Sequence, residues 1–258
     1  MDEMELFWLP AGNIDTDQLG TFSGEIPRRD SMLETAKRKA LLGVQLTGAE
    51  IGIASEGSFG PHPAVPWIPS DTELIVWYDH KHSWFVSESV ISLDTKYGKI
   101  TTDSFDELLS FCNKMGFPSH GLVVRPNTSK KKKHIIKGIC SKSELYHSFE
   151  ESIKVSKDNR VWAETDMRAH VNPTRMKVIQ KAADRLARRL QNYCPNCDLP
   201  GFGFEKGVKG LPCSLCGAPT EMVKNEHWVC PHCSHSHLFP RTDGLTEADP
   251  QYCSFCNP

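Results

Sequence analysis

Glu50-Ile51-Gly52-Ile53-Ala54-Ser55-Glu56-Gly57-Ser58-Phe59-Gly60-Pro61-His62-Pro63 is the stretch on which the fold reading turns. Glu50 to Ala54 has the make-up of a short strand. Glycines and prolines then interrupt it as far as Pro69, so the pattern predicts a strand feeding a loop. Open α/β sheets bind ligands at the carboxyl ends of their strands. In such a loop the glycines admit a ligand close to the backbone, Ser55 and Ser58 offer hydroxyls to a phosphate, Glu56 offers a carboxylate, and His62 can move a proton near neutral pH. The alternative is a rigid turn with only local hydrogen bonds.

Upstream, Ser31 and Glu34 frame a capping box before Met32, Leu33, Ala36 and Ala40, which predicts a helix over 31–42 closed by Gly43. Downstream, 73–78 and 83–91 read as neighbouring strands, 104–115 as a helix, 121–125 and 135–140 as strands, 143–155 as a helix and 160–165 as a strand. A long helix over 173–193 follows, with Met176, Ile179, Ala183, Leu186 and Leu190 as its apolar stripe. Alternating elements favour a layered α/β fold with a mixed or mainly parallel sheet and flanking helices, spanning residues 1–191.

A second polar run, Glu164-Thr165-Asp166-Met167-Arg168-Ala169-His170-Val171-Asn172-Pro173-Thr174-Arg175-Met176, closes the last strand and opens that helix. Glu164 and Asp166 stand two apart at a strand end, as two oxygen ligands for a hard divalent ion would. Asn172 is the expected N-cap before Pro173. Arg168, His170 and Arg175 bring positive charge to a helix start, a setting for an anion. Carboxylates simply paired with arginines around a cap are the competing reading. Ser119-His120 is a further neighbour of interest, Lys37 and Lys39 read as the solvated face of the first helix, and Lys130–Lys133 reads as an exposed loop.

Eight of the ten cysteines form four Cys-x-x-Cys pairs, Cys194/Cys197, Cys213/Cys216, Cys230/Cys233 and Cys253/Cys256. Paired thiolates each supply half a tetrahedral site, so residues 192–258 read as a small two-zinc ribbon module. Strands over 220–223 and 227–229, with a turn at 224–226, favour a nested scheme in which 213/216 and 230/233 share the inner ion and 194/197 and 253/256 the outer. Sequential pairing stays open. Four thiolates per ion leave no position for water, which makes both ions structural. Lys206, Lys209, Lys224 and Arg241 are outnumbered here by Asp198, Glu205, Glu221, Glu226, Asp243, Glu247 and Asp249, so the module suits a protein partner better than a nucleic acid.

The whole chain has 258 residues, 39% hydrophobic and 24% charged, with a net charge of −2, which excludes general disorder. It lacks a run of about 18 apolar residues, so no membrane span is expected, and the acidic Met1–Glu5 opening does not resemble a signal peptide. A cytoplasmic location is the expectation.

These motifs, together with Gly20–Arg28 and Phe117-Pro118-Ser119-His120-Gly121-Leu122-Val123-Val124-Arg125-Pro126, resemble the uncharacterised bacterial domain-of-unknown-function family 6671 over nearly the whole chain. The resemblance implies shared architecture and lends no activity. Members begin with a strand and a His-Gly-Lys-Glu-like segment that Met1–Pro10 lacks, so either a truncated start or a lost piece of the site is expected. Lys39-Ala40 followed by Glu56-Gly57 is also similar in order to nucleoside-triphosphate pyrophosphatases. That likeness implies acids on magnesium and lysines on phosphates.

The combined expectation is a magnesium- or manganese-dependent hydrolase of a phosphorylated small molecule such as a nucleotide. Glu56, Glu164 and Asp166 would hold the ion, Ser55, Ser58, Arg168 and Arg175 the phosphate, and His62 or His170 would transfer the proton. The alternative is a non-enzymatic zinc-ribbon binding or scaffold protein.

Overall fold

A computed structural model describes residues 9–12, 30–128 and 134–258; the Gly20–Arg28 motif and Lys130–Lys133 lie outside them. The chain divides into two compact units, Met1–Trp77 with Ser87–Asp184, and Tyr78–Val86 with Arg185–Pro258.

The first unit opens with helix α1 (Met32–Thr47), whose Ser31 hydroxyl accepts the Glu34 amide at 3.2 Å. It runs past Gly43 and stops at Gly48, which takes φ 71° and donates its N–H to the Val44 carbonyl. Thr35, Ala36, Ala40 and Val44 are buried, and α1 lies along strand β1 (Ile51–His62), where a side chain at Gly52 would collide with the Ala40 carbonyl. The predicted loop is therefore a strand. β1, β2 (Val65–Asp79) and β3 (Trp84–Ser92) form an antiparallel meander in that order. Two residues separate β1 from β2, enough for a hairpin and far short of the dozen or more that a parallel crossover needs.

The second sheet comprises β4 (Lys99–Thr102), β5 (Leu122–Pro126), β6 (Ile136–Ile139) and β7 (Val161–Thr165), in the order β4-β7-β5-β6 with every neighbour antiparallel. This overturns the expected mainly parallel α/β sheet. Helix α2 (Phe105–Lys114) links β4 to β5 and α3 (Lys142–Val155) links β6 to β7, so strand–helix–strand alternation is real. Each linked pair runs parallel but is split by one strand: β7 lies between β4 and β5, and β5 between β6 and β7. Alternation along the chain does not reveal that insertion. Leu108 and Cys112 of α2, Leu145 and Phe149 of α3, and Leu122, Val124, Ile139, Val161 and Ala163 of the sheet form one core. Ser104 and Ser141 cap the two helices, accepting the Glu107 and Glu144 amides, and α3 starts one residue before the expected 143.

Helix α4 (Pro173–Leu190) starts where expected, with Asn172 Oδ1 accepting the Arg175 amide at 3.0 Å. Its buried stripe is Arg175, Val178, Ala182, Leu186 and Leu190, and Met176 is exposed.

In the second unit β8 (Gly203–Lys209), β9 (Val223–Val229) and β10 (Ser236–Pro240) form an antiparallel sheet in the order β10-β9-β8. Residues 223–229 make one continuous strand rather than the expected hairpin around 224–226, because β8 and β10 bond to its two edges.

Candidate functional site

The eight cysteines gather into two sets, Cys194, Cys197, Cys230 and Cys233, and Cys213, Cys216, Cys253 and Cys256, each with its sulfurs within 4.8 Å of one another. Sulfur separations of 3.7 Å for Cys194–Cys233, 3.6 Å for Cys197–Cys230, 3.8 Å for Cys213–Cys256 and 3.6 Å for Cys216–Cys253 match the edge of a zinc tetrahedron. Bonds of about 2.3 Å give an edge of about 3.8 Å. The donor chemistry and spacing thus fit two structural zinc ions. The pairing is interleaved, and both the nested and the sequential schemes are corrected. Strand register is the cause. Gly203 at the start of β8 pairs with Val229 at the end of β9, which brings the knuckle preceding β8 to the knuckle following β9. Ala248 bridges Cys213 and bonds Pro212 and Ser214, which leads the last knuckle back to 213/216.

The knuckles share one backbone device. Asp198, Gly217, Ser234 and Asn257, each just after a pair's second cysteine, donate to the carbonyl of its first cysteine at 2.9, 2.8, 3.1 and 2.8 Å. The first three take positive φ, at 57°, 71° and 58°. The turn places both sulfurs on one side. Backbone N–H groups of His235 and Cys256 pull the Cys233 and Cys253 thiols down to about 6 and about 7, while their ion-free neighbours Cys197, Cys230 and Cys256 are pushed up, since crowded thiols share their protons.

The first unit holds a different constellation, two ion pairs on opposite sides of β1. On the α1 side Lys39 Nζ donates to Glu56 Oε2 at 2.5 Å. On the other side Glu73 of β2 meets Arg175 of α4, with Arg175 Nε 2.5 Å from Oε1, and Arg175 NH1 donates to the Met167 carbonyl at 2.5 Å. Gly57 makes this approach possible, since a Cβ there would lie 2.5 Å from Glu73 Oε1 and 2.7 Å from Arg175 NH2. The Phe59 ring, on the same face of β1, stands 5.6 Å from the Arg175 guanidinium.

Asp71, two residues before Glu73 and so on the same face of β2, is 1% exposed; among the described residues its Oδ1 meets no N–H or hydroxyl donor, and the protonated Asp71 carboxyl hydrogen-bonds Glu73. Burial, reinforced by the charge of Glu73, pushes the Asp71 carboxyl up to about 7, against the opposing pull of Arg175. Burial also raises Glu73, while its bond to Arg175 lowers it. The two carboxyls interact directly and titrate as a pair.

The other residues singled out in the sequence are placed as follows. Ser55 and Ser58 are half-buried on β1, and His62 ends it, with Nδ1 accepting the Ala64 amide at 3.2 Å. Asp166 is buried and bound by Arg168, whose Nε lies 3.0 Å from both carboxylate oxygens and NH2 2.7 Å from Oδ2, while Gly138 N–H adds a bond at 3.0 Å. Glu164 lies on β7 opposite Lys99 and Val123 in register. His170 is exposed in a short 3-10 turn, Ala169–Val171. Among the described residues, Glu56, Glu164 and Asp166 are not among the groups whose ligand atoms converge, whereas Arg175 does reach the neighbourhood of the 55–63 segment.

Sequence reasoning missed Lys39, Asp71 and Glu73. A signal existed: Asp71, Glu73, Ile75 and Trp77 alternate on one strand, and the last two are buried, so the acids had to be buried with them. A family model described as "Domain of unknown function (DUF6671)" matches residues 39–258. No curated protein and no solved structure matches, and the likeness to nucleoside-triphosphate pyrophosphatases has no counterpart among these findings.

Proposed function

The chain belongs to the DUF6671 family, whose description assigns no activity, and we propose that its first unit is a metal-dependent hydrolase of a phosphorylated small molecule, centred on Asp71 and Glu73. The observation that carries this reading is a buried Asp71, whose Oδ1 meets no N–H or hydroxyl donor among the described residues, paired with an acid that an arginine already holds. A buried acceptor with no partner costs about 1–3 kcal/mol unless something fills its place. A magnesium or manganese ion held by Asp71 and Glu73 would supply charge neutralisation and an activated water.

The chain's own groups have distinct tasks. Arg175 orients Glu73 and opposes the rise that burial imposes on its carboxyl. Asp71, which keeps its proton up to about pH 7 in the ion-free pair, would release it on taking the ion. Zinc-loaded full-length protein, assayed against nucleoside mono-, di- and triphosphates and sugar phosphates with and without magnesium or manganese, tests the reading. Turnover that needs the added ion and is lost in D71N and E73Q is expected. No turnover with any substrate, together with no shift in melting temperature on adding either ion, overturns it.

A second reading, a protein-contact role for the zinc module, is favoured by Leu215 and Phe255. These stand 73% and 76% exposed, each just before the last cysteine of its knuckle at the same centre.

A further inference from the structure

Two of the sequence motifs meet at a hydrogen-bonded chain that the acid pair does not use. His120, from the Phe117–Gly121 segment, is 7% exposed, and its Nε2 lies 2.9 Å from the hydroxyl oxygen of Thr174 in the first turn of α4. Its Nδ1 faces Ser119 Oγ at 3.1 Å and the Gly116 carbonyl at 3.4 Å. The two segments are also tied through their backbones, with Gly121 N–H donating to Val171 O and Asp166 N–H to Gly121 O, each at 2.8 Å. A Cβ on Gly121 would press into Val171 at 2.9 Å, so the register is fixed.

The polarity of this chain follows from donor counting. Ser119 Oγ donates to the Gly116 carbonyl at 2.6 Å, so its single proton is committed. Toward His120 both Ser119 Oγ and the Gly116 carbonyl can then only accept, which places the ring proton on Nδ1. In the neutral ring Nε2 is left with its lone pair, and the Thr174 hydroxyl donates to it. A half-buried hydroxyl aimed at the lone pair of a buried imidazole, whose other nitrogen is held by fixed acceptors, is the nucleophile, base and orienter arrangement of hydrolytic enzymes.

We propose that Thr174 is a nucleophile activated by His120 and that its electrophile is a phosphoryl group; the choice of phosphorus rests on the hydrolase reading above. Thr174 Oγ forms a bond to phosphorus while its proton passes to His120 Nε2. The bond from phosphorus to the leaving oxygen breaks, and that oxygen takes the proton from Nε2. Water then attacks the phosphothreonine, giving its proton to Nε2. The threonine–phosphorus bond breaks, and the threonine oxygen recovers the proton.

The test uses a fluorophosphonate probe on the zinc-loaded full chain. The Oγ–phosphorus bond forms, fluoride leaves, and the proton goes through His120 to solvent. Peptide mass spectrometry is expected to place the adduct on Thr174, with labelling retained in T174S, lost in T174V and reduced at least tenfold in H120Q. Melting curves identify any variant that fails to fold, and T174S against wild type keeps the comparison within folded proteins. No adduct at residue 174, or equal labelling in folded H120Q, overturns the proposal. So does phosphate-ester turnover by T174V at the wild-type rate, which leaves the hydrolase reading standing. Probe labelling that depends on His120, with no phosphate substrate turned over, supports the nucleophile and removes the hydrolase reading instead.

Discussion

Asp71→Asn isolates the proton that the buried acid pair holds. In the folded chain the Asp71 carboxyl titrates at about 7 rather than 3.8, chiefly because burial disfavours its charge. An unfolded chain releases that proton above pH 3.8 while the folded one keeps it until about 7. The raised pKa therefore contributes stability that is fully present below pH 4 and is lost as pH climbs through 7. At about 1.4 kcal/mol per unit, the window spans about 4 kcal/mol, of which about 3 kcal/mol falls between pH 5 and pH 8. Asparagine preserves the shape and cannot ionise, so the variant escapes this loss. Urea unfolding of D71N and wild type, followed by circular dichroism at matched zinc content from pH 5 to 8.5, gives the stability difference at each pH. Taking the difference cancels the pH dependence of the zinc sites. D71N is expected to gain about 3 kcal/mol on wild type across the range, with the gain levelling off above pH 7. A difference that stays flat to within about 0.5 kcal/mol refutes the claim that Asp71 is protonated because it is buried.

Gly57→Ala drives a methyl group into the Glu73–Arg175 pair and is expected to cost about 3–5 kcal/mol in urea unfolding. Gly60→Ala, with open space at its Cβ, serves as the control and stays within about 0.5 kcal/mol. Native mass spectrometry is expected to find two zinc ions per chain. C197S/C230S should lose one of them and C197S/C216S both, because only the interleaved pairing puts Cys197 with Cys230 and apart from Cys216. Lys39→Met removes the lysine paired with Glu56, 3% exposed, and is expected to destabilise by more than Lys37→Met on the same helix, where the partner Glu34 is exposed and the loss stays within about 1 kcal/mol in urea unfolding.

Local chemistry was legible in the sequence wherever a residue's own neighbours decide the outcome. Ser31 and Asn172 cap helices as expected, and the four Cys-x-x-Cys turns form knuckles. Register between distant segments was not legible. Zinc pairing depends on Gly203 meeting Val229, and the orientation of the second sheet depends on β7 inserting between β4 and β5. No local pattern encodes either. The 55–63 segment was misjudged for a different reason. Glycine and proline usually end a strand, yet at Gly52 and Gly57 the missing Cβ admits the Ala40 backbone and the Glu73–Arg175 pair on opposite faces of an uninterrupted β1. Gly57 suggested part of a ligand loop and serves instead, like Gly52, as a close-packing site inside a strand.

Strand β2 contrasts two ways of filling a core. Ile75, Val76 and Trp77 bury apolar surface, whereas Asp71 and Glu73, a turn of the pleat earlier, bury carboxyls. Replacing a buried ionic cluster by well-packed apolar residues is often neutral or stabilising, by about 1–4 kcal/mol, so fold stability alone does not explain the acids. Their bonding separates their tasks. The Arg175 guanidinium is committed through Nε and NH2 to Glu73 and through NH1 to the Met167 carbonyl, with Phe59 on its face. It positions Glu73 and fastens the start of α4 to β2. The unused bonding capacity of the pair is on Asp71 Oδ1. In the proposed hydrolase the chemistry would therefore fall to Asp71, with Glu73 beside it on the ion, and a positioning role to Arg175. The two roles are separable by experiment. R175K, which keeps the charge but loses the fork, should displace Glu73 and shift the pH profile of any turnover, while D71N should abolish turnover without unfolding the chain.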